Sequence, residues 1–214
     1  MATNPTGASP ALVERVKNII LQPKAEWPRI DAEPATVGGI YRSYIFILAA
    51  ITPVAGVIGQ LLFPRSFMGI TYRPSVGSVL STAVVQYLMV LLSVYILALI
   101  IEALAPNFGG TKDRVQAFKV AAYASTAAWV AGIFNIIPAL AWLGLLGGLY
   151  SLYLLYLGIP VLMKVSADKA MGYVAAAVIA AILLWIVVGA VVGQVVGSLI
   201  GGPGSGAISV QFPG

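Results

Sequence analysis

Five apolar stretches, at about residues 40–63, 76–105, 116–137, 139–163 and 173–200, govern what this 214-residue chain can become. A helix rises about 1.5 Å per residue, so roughly 20 apolar residues cross the ~30 Å hydrocarbon core of a bilayer. Each stretch reaches that length. Hydrocarbon offers no hydrogen bonds to an open backbone, and a continuous helix needs none. The expected fold is therefore all-α, a polytopic membrane bundle of about five transmembrane helices. Composition agrees: 60% of the residues are hydrophobic and 9% charged, with a mean hydropathy of +0.97. That leaves too little polar surface to cover a water-facing core.

The chain divides into an N-terminal segment, residues 1–38, the membrane domain, residues 39–200, and a Gly-rich tail, residues 201–214. The tail, GGPGSGAISVQFPG, is rich in turn formers and is expected to be flexible unless a partner orders it. No signal peptide is expected, because no short apolar run follows an N-terminal basic cluster. Residues 9–22 read as an amphipathic helix, with Ser9 as cap, Pro10 at the first helical position and Pro23 as the stop. Leu12, Val13, Val16, Ile19 and Ile20 occupy one side, and Glu14, Arg15, Lys17 and Asn18 the other. Such a helix lies in the headgroup layer or docks on the bundle, and the two can coexist. Thr52-Pro53 should kink the first span, and Pro138 marks a tight junction between the third and fourth.

Basic residues fix the expected orientation. With the N-terminus in the cytoplasm, Arg15, Lys17, Lys24, Arg29, Arg42, Lys112, Arg114, Lys119, Lys164 and Lys169 fall inside, and only Arg65 and Arg73 outside. The expected placement is a bacterial inner membrane, N-terminus cytoplasmic and C-terminus outside.

Between helices in lipid, close backbone approach and interhelical hydrogen bonds supply the adhesion. Gly189, Gly193, Gly197 and Gly201 recur every four residues in the fifth stretch, and Gly144 and Gly148 repeat that spacing in the fourth. These are the candidate packing positions, against another helix of the chain or a second copy. Ala121, Ala122, Ser125, Ala128 and Gly132 make the third stretch similarly small, and Tyr150, Tyr153 and Tyr156 read as packing and interface residues.

The chain has no His and no Cys. That removes imidazole and thiolate metal sites, disulfides, and catalysis by a Cys nucleophile or a His base. No cofactor, metal or nucleic acid is expected. Glu102 is the one acid well inside an apolar run, and an ionisable group there is a functional candidate. It is expected to form an ion pair, with Lys119 as the partner, and a proton or ion relay is the alternative. Gln60, Gln86, Asn135 and Gln194 are the other polar side chains at depth, as interhelical hydrogen bonders or as the lining of a polar path. Asp31, Glu33, Asp113 and Asp168 lie beside loops without metal-ligand spacing.

Four stretches resemble the bacterial branch of the Ypt-interacting-protein (Yip) family. They are residues 23–30 (PKAEWPRI), residues 105–112 (APNFGGTK), residues 150–164 (YSLYLLYLGIPVLMK) and residues 168–173 (DKAMGY). The Phe108-Gly109-Gly110 loop and the tyrosine-rich fourth stretch are the more specific parts, and Phe108, Gly109, Gly110 and Lys119 are the candidate cytoplasmic-face motif. The resemblance covers roughly residues 12–200 and implies a five-span membrane fold. It also implies an association with small GTPases and vesicle membranes in eukaryotic relatives, which carry a longer cytosolic N-terminal region than the 38 residues here. It carries over no catalytic residue. The expected function is a non-catalytic scaffold, membrane organiser or accessory subunit acting through lipid and helix–helix contacts, with membrane lipids and a protein partner or second copy. A small transporter or channel is the alternative, and a membrane-lipid enzyme the second.

Overall fold

The computed structural model describes residues 12–63, 65–67, 70–72, 75–200 and 208–210. Two short helices, α1 (Leu12–Leu21) and α2 (Pro23–Ala32), precede the bundle. Five helical segments long and apolar enough to cross a membrane follow: Val37–Leu62, Val76–Phe108, Arg114–Ile136, Pro138–Leu162 and Asp168–Val195. We call them the first to fifth spans. Ser9, Pro10 and Gly201 lie outside the described residues.

Local chemistry sets the ends and breaks of the spans. Thr36 opens the first, its hydroxyl accepting from Gly39 N at 3.1 Å. The span passes through a π-helical turn at Tyr41–Ile45 and breaks at Ala50, three residues before Pro53. Proline lacks the N–H that would continue the ladder there. Ser75 caps the second span and Asp113 the third, each accepting from the backbone N–H three residues on. At their junction the third and fourth spans tighten into 3-10 turns at Gly132–Ile136 and Pro138–Leu140. The second span's α-helix has 29 residues and the fifth helix, Ala167–Ile200, has 34. At 1.5 Å per residue they run ~44 Å and ~51 Å, well beyond the ~30 Å of hydrocarbon.

The third span is the centre of the bundle. Of its most apolar window 61% is buried, against 11% for the fifth. Ala117, Ala121 and Ala122 are fully buried, so small side chains let the neighbouring helices close in around it.

Two regions without helical period form a small sheet. β1 (Arg65–Phe67) and β2 (Ile70–Tyr72) make a hairpin between the first and second spans, with Ser66 opposite Thr71. β3 (Ile208–Val210) adds an antiparallel strand from the tail, pairing Thr71 with Ser209. The Gly-rich tail thus carries one strand among its described residues. Its Ile-Ser-Val core is a β-favouring patch among glycines, and β2 offers it an edge.

Candidate functional site

The densest polar chemistry lies at the basic end, where α1 and α2 dock on the third and fourth spans. Leu12, Arg15 and Ile19 share one face of α1 by helical spacing, and Arg15 and Ile19 are buried. Arg15 was expected on the polar, outward side, but it points inward. Its guanidinium bonds Glu26 and both carboxylate oxygens of Glu33, and it stands 5.6 Å over the Tyr123 ring. Burial alone would lower its proton affinity. The Glu33 hydrogen bond and the charges of Glu33 and Glu26 outweigh that and hold Arg15 above its ordinary value. Glu26 is 1% exposed, and its other oxygen meets Arg29 at 3.5 Å.

Lys119 closes the far end of α2. Its ammonium, 3% exposed, donates to the carbonyls of Ile30 (2.7 Å), Glu33 (2.6 Å) and Asp31 (3.4 Å). A helix C-terminus leaves carbonyls without intrahelical partners, and a cation there satisfies them and the macrodipole together. Gln116 donates to Asp31 Oδ1 at 3.1 Å, and Lys164, at φ 56°, bonds Asp31 Oδ2. The ring of Trp27 fills the space over Gly158, where a Cβ would come within 2.7 Å of it. Tyr150 donates to the Ile20 carbonyl at 2.6 Å, and Tyr44 bonds Thr126 at 2.7 Å. The amphipathic segment is therefore docked, with Val13 and Leu21 still facing outward.

Glu102 does not pair with Lys119. It accepts from Arg114 Nε at 2.9 Å, while Lys119 is committed to α2. The two basic residues are five apart on one helix, about 140° of rotation, so they face different neighbours.

The Phe108-Gly109-Gly110 loop is a joint between the second and fifth spans. Phe108 stacks on Tyr173 at 5.2 Å with rings 4° from parallel, and Tyr173 bonds the Ile101 carbonyl. Gly109 takes φ +70°, a conformation that favours glycine. A Cβ on Gly110 would stand 2.8 Å from Met163 O. Phe108, Gly109 and Gly110 thus meet residues 163–173, and Lys119 meets α2; the four motif positions do not converge on one site.

Nor do the deep polar residues come together. Gln60 donates to Gly56 O at 3.1 Å and Asn135 to Gly132 O at 2.9 Å, each within its own segment. Gln86 alone of the five lines a cavity of about 330 Å³ between the second and fifth spans, beside Ser93, Ser125, Trp185 and Gly189. Gln194 is exposed.

The glycines sort by phase rather than by spacing. A Cβ on Gly144, Gly148, Gly189, Gly193 or Gly197 would meet nothing within 4 Å. Among the described residues none of those five is a close-contact position, and Gly189 borders the cavity beside Gln86. The close approaches are instead at Gly59 against the third span's end, Gly132 against Thr52, Gly147 against Ala127, and Gly158 against Trp27.

Three of the four candidate acids have structural employment. Asp31 and Glu33 are held as above, and Asp113 caps the third span. Asp168 stands exposed in the first turn of the fifth helix. Among the described residues, no group of three or more Asp or Glu is placed to hold a metal ion.

A sequence model described as the Yip1 domain matches residues 17–205 of this chain. Among curated proteins and solved structures, nothing matches it.

Proposed function

The chain belongs to the Yip1 domain family, and on that premise we propose that it works without catalysis, as a scaffold, membrane organiser or accessory subunit meeting lipids and protein through its outward helix faces. Its N-terminus lies in the cytoplasm and its C-terminus outside, in a bacterial inner membrane. The supporting observation is the fifth helix. It is the least buried span, and a Cβ on Gly189, Gly193 or Gly197 would meet nothing within 4 Å among the described residues. In lipid, such a stripe suits close approach by another helix, a second copy or a different membrane protein.

A Gly193→Cys variant tests this, since the chain has no native thiol. Oxidation in native membranes should trap a covalent adduct through that cysteine, while Leu145→Cys, exposed on the fourth span, gives none. A chain that stays monomeric at both positions counts against the reading.

A further inference from the structure

At the turn between α1 and α2 a pocket of about 400 Å³ opens against the fourth span, lined by Leu21, Gln22, Lys24, Tyr150 and Tyr153 among others. We propose that this pocket binds the headgroup of an anionic glycerophospholipid from the leaflet on the basic side of the bundle. The inference deepens the lipid-contact part of the function proposed above and rests on it.

The position of the pocket relative to the bilayer carries the argument. The outward residues of α1 and α2 mix charge with apolar groups: Glu14, Lys17, Lys24 and Arg29 are exposed beside Val13 and Leu21. Such a surface belongs to the headgroup layer and not to hydrocarbon. The outward face of the fourth span before Tyr153 is Leu145, Leu146 and Leu149, all exposed and wholly apolar. The boundary between headgroups and acyl chains therefore falls at the pocket. Tyrosine favours that level, with its ring in the apolar layer and its hydroxyl toward water.

The pocket also offers uncommitted donors. Tyr150 spends its hydroxyl on Ile20, but Tyr153, 40% exposed and with its ring 5.5 Å from that of Tyr150, has no hydrogen-bond partner among the described residues. Lys24 takes part in no ion pair among the described residues, whereas Arg15, Arg29, Arg114 and Lys164 all do. An ammonium, a phenol and the Gln22 amide around one space match a phosphodiester. Leu21 and the leucine face of the fourth span then receive the glycerol and the first methylenes. A free phosphate would use the donors and leave the leucines unused.

The test is native mass spectrometry of the full chain in detergent with phosphatidylglycerol, with phosphatidylcholine of the same acyl chains, and with millimolar inorganic phosphate. The wild type should retain one phosphatidylglycerol in preference to phosphatidylcholine, and inorganic phosphate should not displace it. A lysine near an anionic surface contributes enough for about a fivefold change in retention, the loss expected for Lys24→Gln. Tyr153→Phe should also lower retention, though it changes no charge. Lys17→Gln, equal in charge but away from the pocket, should leave retention within about twofold of wild type. Equal losses for Lys17→Gln and Lys24→Gln, or wild-type retention in Tyr153→Phe, overturn the pocket in favour of diffuse surface charge. Displacement by inorganic phosphate overturns the lipid in favour of a free anion. Each variant alters an exposed side chain, and an unshifted thermal midpoint verifies its fold. Neither failure touches the Gly193→Cys cross-link, so the two readings fall separately.

Discussion

Removing Arg15 should release α1 and α2 from the bundle, and removing its partner with it should restore them. In Arg15→Met, Glu26 stays at 1% exposure with only Arg29 at 3.5 Å to meet its charge. Breaking a buried ion pair from one side costs about 3–5 kcal/mol, because the remaining charge is stranded. At 1.4 kcal/mol per factor of ten, the undocked fraction rises roughly two to three and a half orders of magnitude. Arg15→Met/Glu26→Met replaces both by apolar groups of similar length and should recover most of the loss. Glu33 is then left without Arg15, but its side chain is 28% exposed and water can reach it.

The assay uses the absence of cysteine. Ile30→Cys places one thiol on α2 at a site 1% exposed, and its alkylation rate in detergent reports the undocked fraction. The reasoning is refuted if the single variant reacts no faster than the Ile30→Cys parent, or if the double variant reacts as fast as the single. The sign of the pH effect follows from Arg15 being held above its ordinary value. A raised basic group contributes its stabilisation fully below its unfolded-state pKa and loses it only as pH climbs through the folded-state value. The Arg15 contribution should therefore be constant from about pH 7 to about pH 10.

Two further substitutions test the close contacts. Gly158→Ala drives a methyl group to within 2.7 Å of the Trp27 ring; overpacking of this kind costs about 1–3 kcal/mol, and it should accelerate alkylation at Ile30→Cys without altering the fifth span. Gly109→Ala forces a side chain into φ +70°, a cost of about 1–2 kcal/mol read as a lower thermal midpoint in detergent, whereas Gly144→Ala, with open space around it, should lower nothing.

The spans were legible because a membrane helix announces itself by length and hydropathy alone, and the Pro53 break followed from a missing N–H. Rotational phase was not legible. Around a helix apolar on every side, Gly147 and Gly148 look equivalent, yet one abuts Ala127 and a Cβ on the other would meet nothing within 4 Å among the described residues. Glu102 was expected to pair with Lys119, and only the direction each basic residue faces gives it Arg114 instead. The inward turn of Arg15 left a trace in the sequence. Leu12, Arg15 and Ile19 fall at i, i+3 and i+7, and Glu26 shares a face of α2 with Trp27 and Ile30, so one face of each helix holds a charge beside apolar groups. Read together, a cation on one inward face and an anion on the other predict an ion pair, which Glu33, just past the end of α2, completes. Read alone, each charge looks like a solvated position. The β3 strand was obscured by its glycine-rich flanks, which dominate composition but leave Ile208–Val210 free to pair.

A relay or a catalytic acid needs a proton that can leave and a lone pair that can receive one, and five of the seven carboxylates have their oxygens engaged, Glu14 and Asp168 standing exposed. Glu26 and Glu33 are tied to Arg15, Asp31 to Gln116 and Lys164, Glu102 to Arg114, and Asp113 to the backbone of Gln116. Within the buried Arg15–Glu26 pair, losing either partner strands the other charge, whereas Arg114 and Lys164 are more than half exposed and water can meet their charges. The cluster therefore acts as a clamp whose stability depends on its charges staying fixed. Inside, only the neutral Trp27 Nε1 and Gln116 Oε1 are buried without a partner among the described residues, whereas Lys24 and Tyr153 stand open at the lipid boundary and Gly189, Gly193 and Gly197 leave room for a close approach. Charge that is paired inside and donors that stand open outside suit recognition, and both the cross-link and the lipid-retention experiments therefore interrogate the protein's surface.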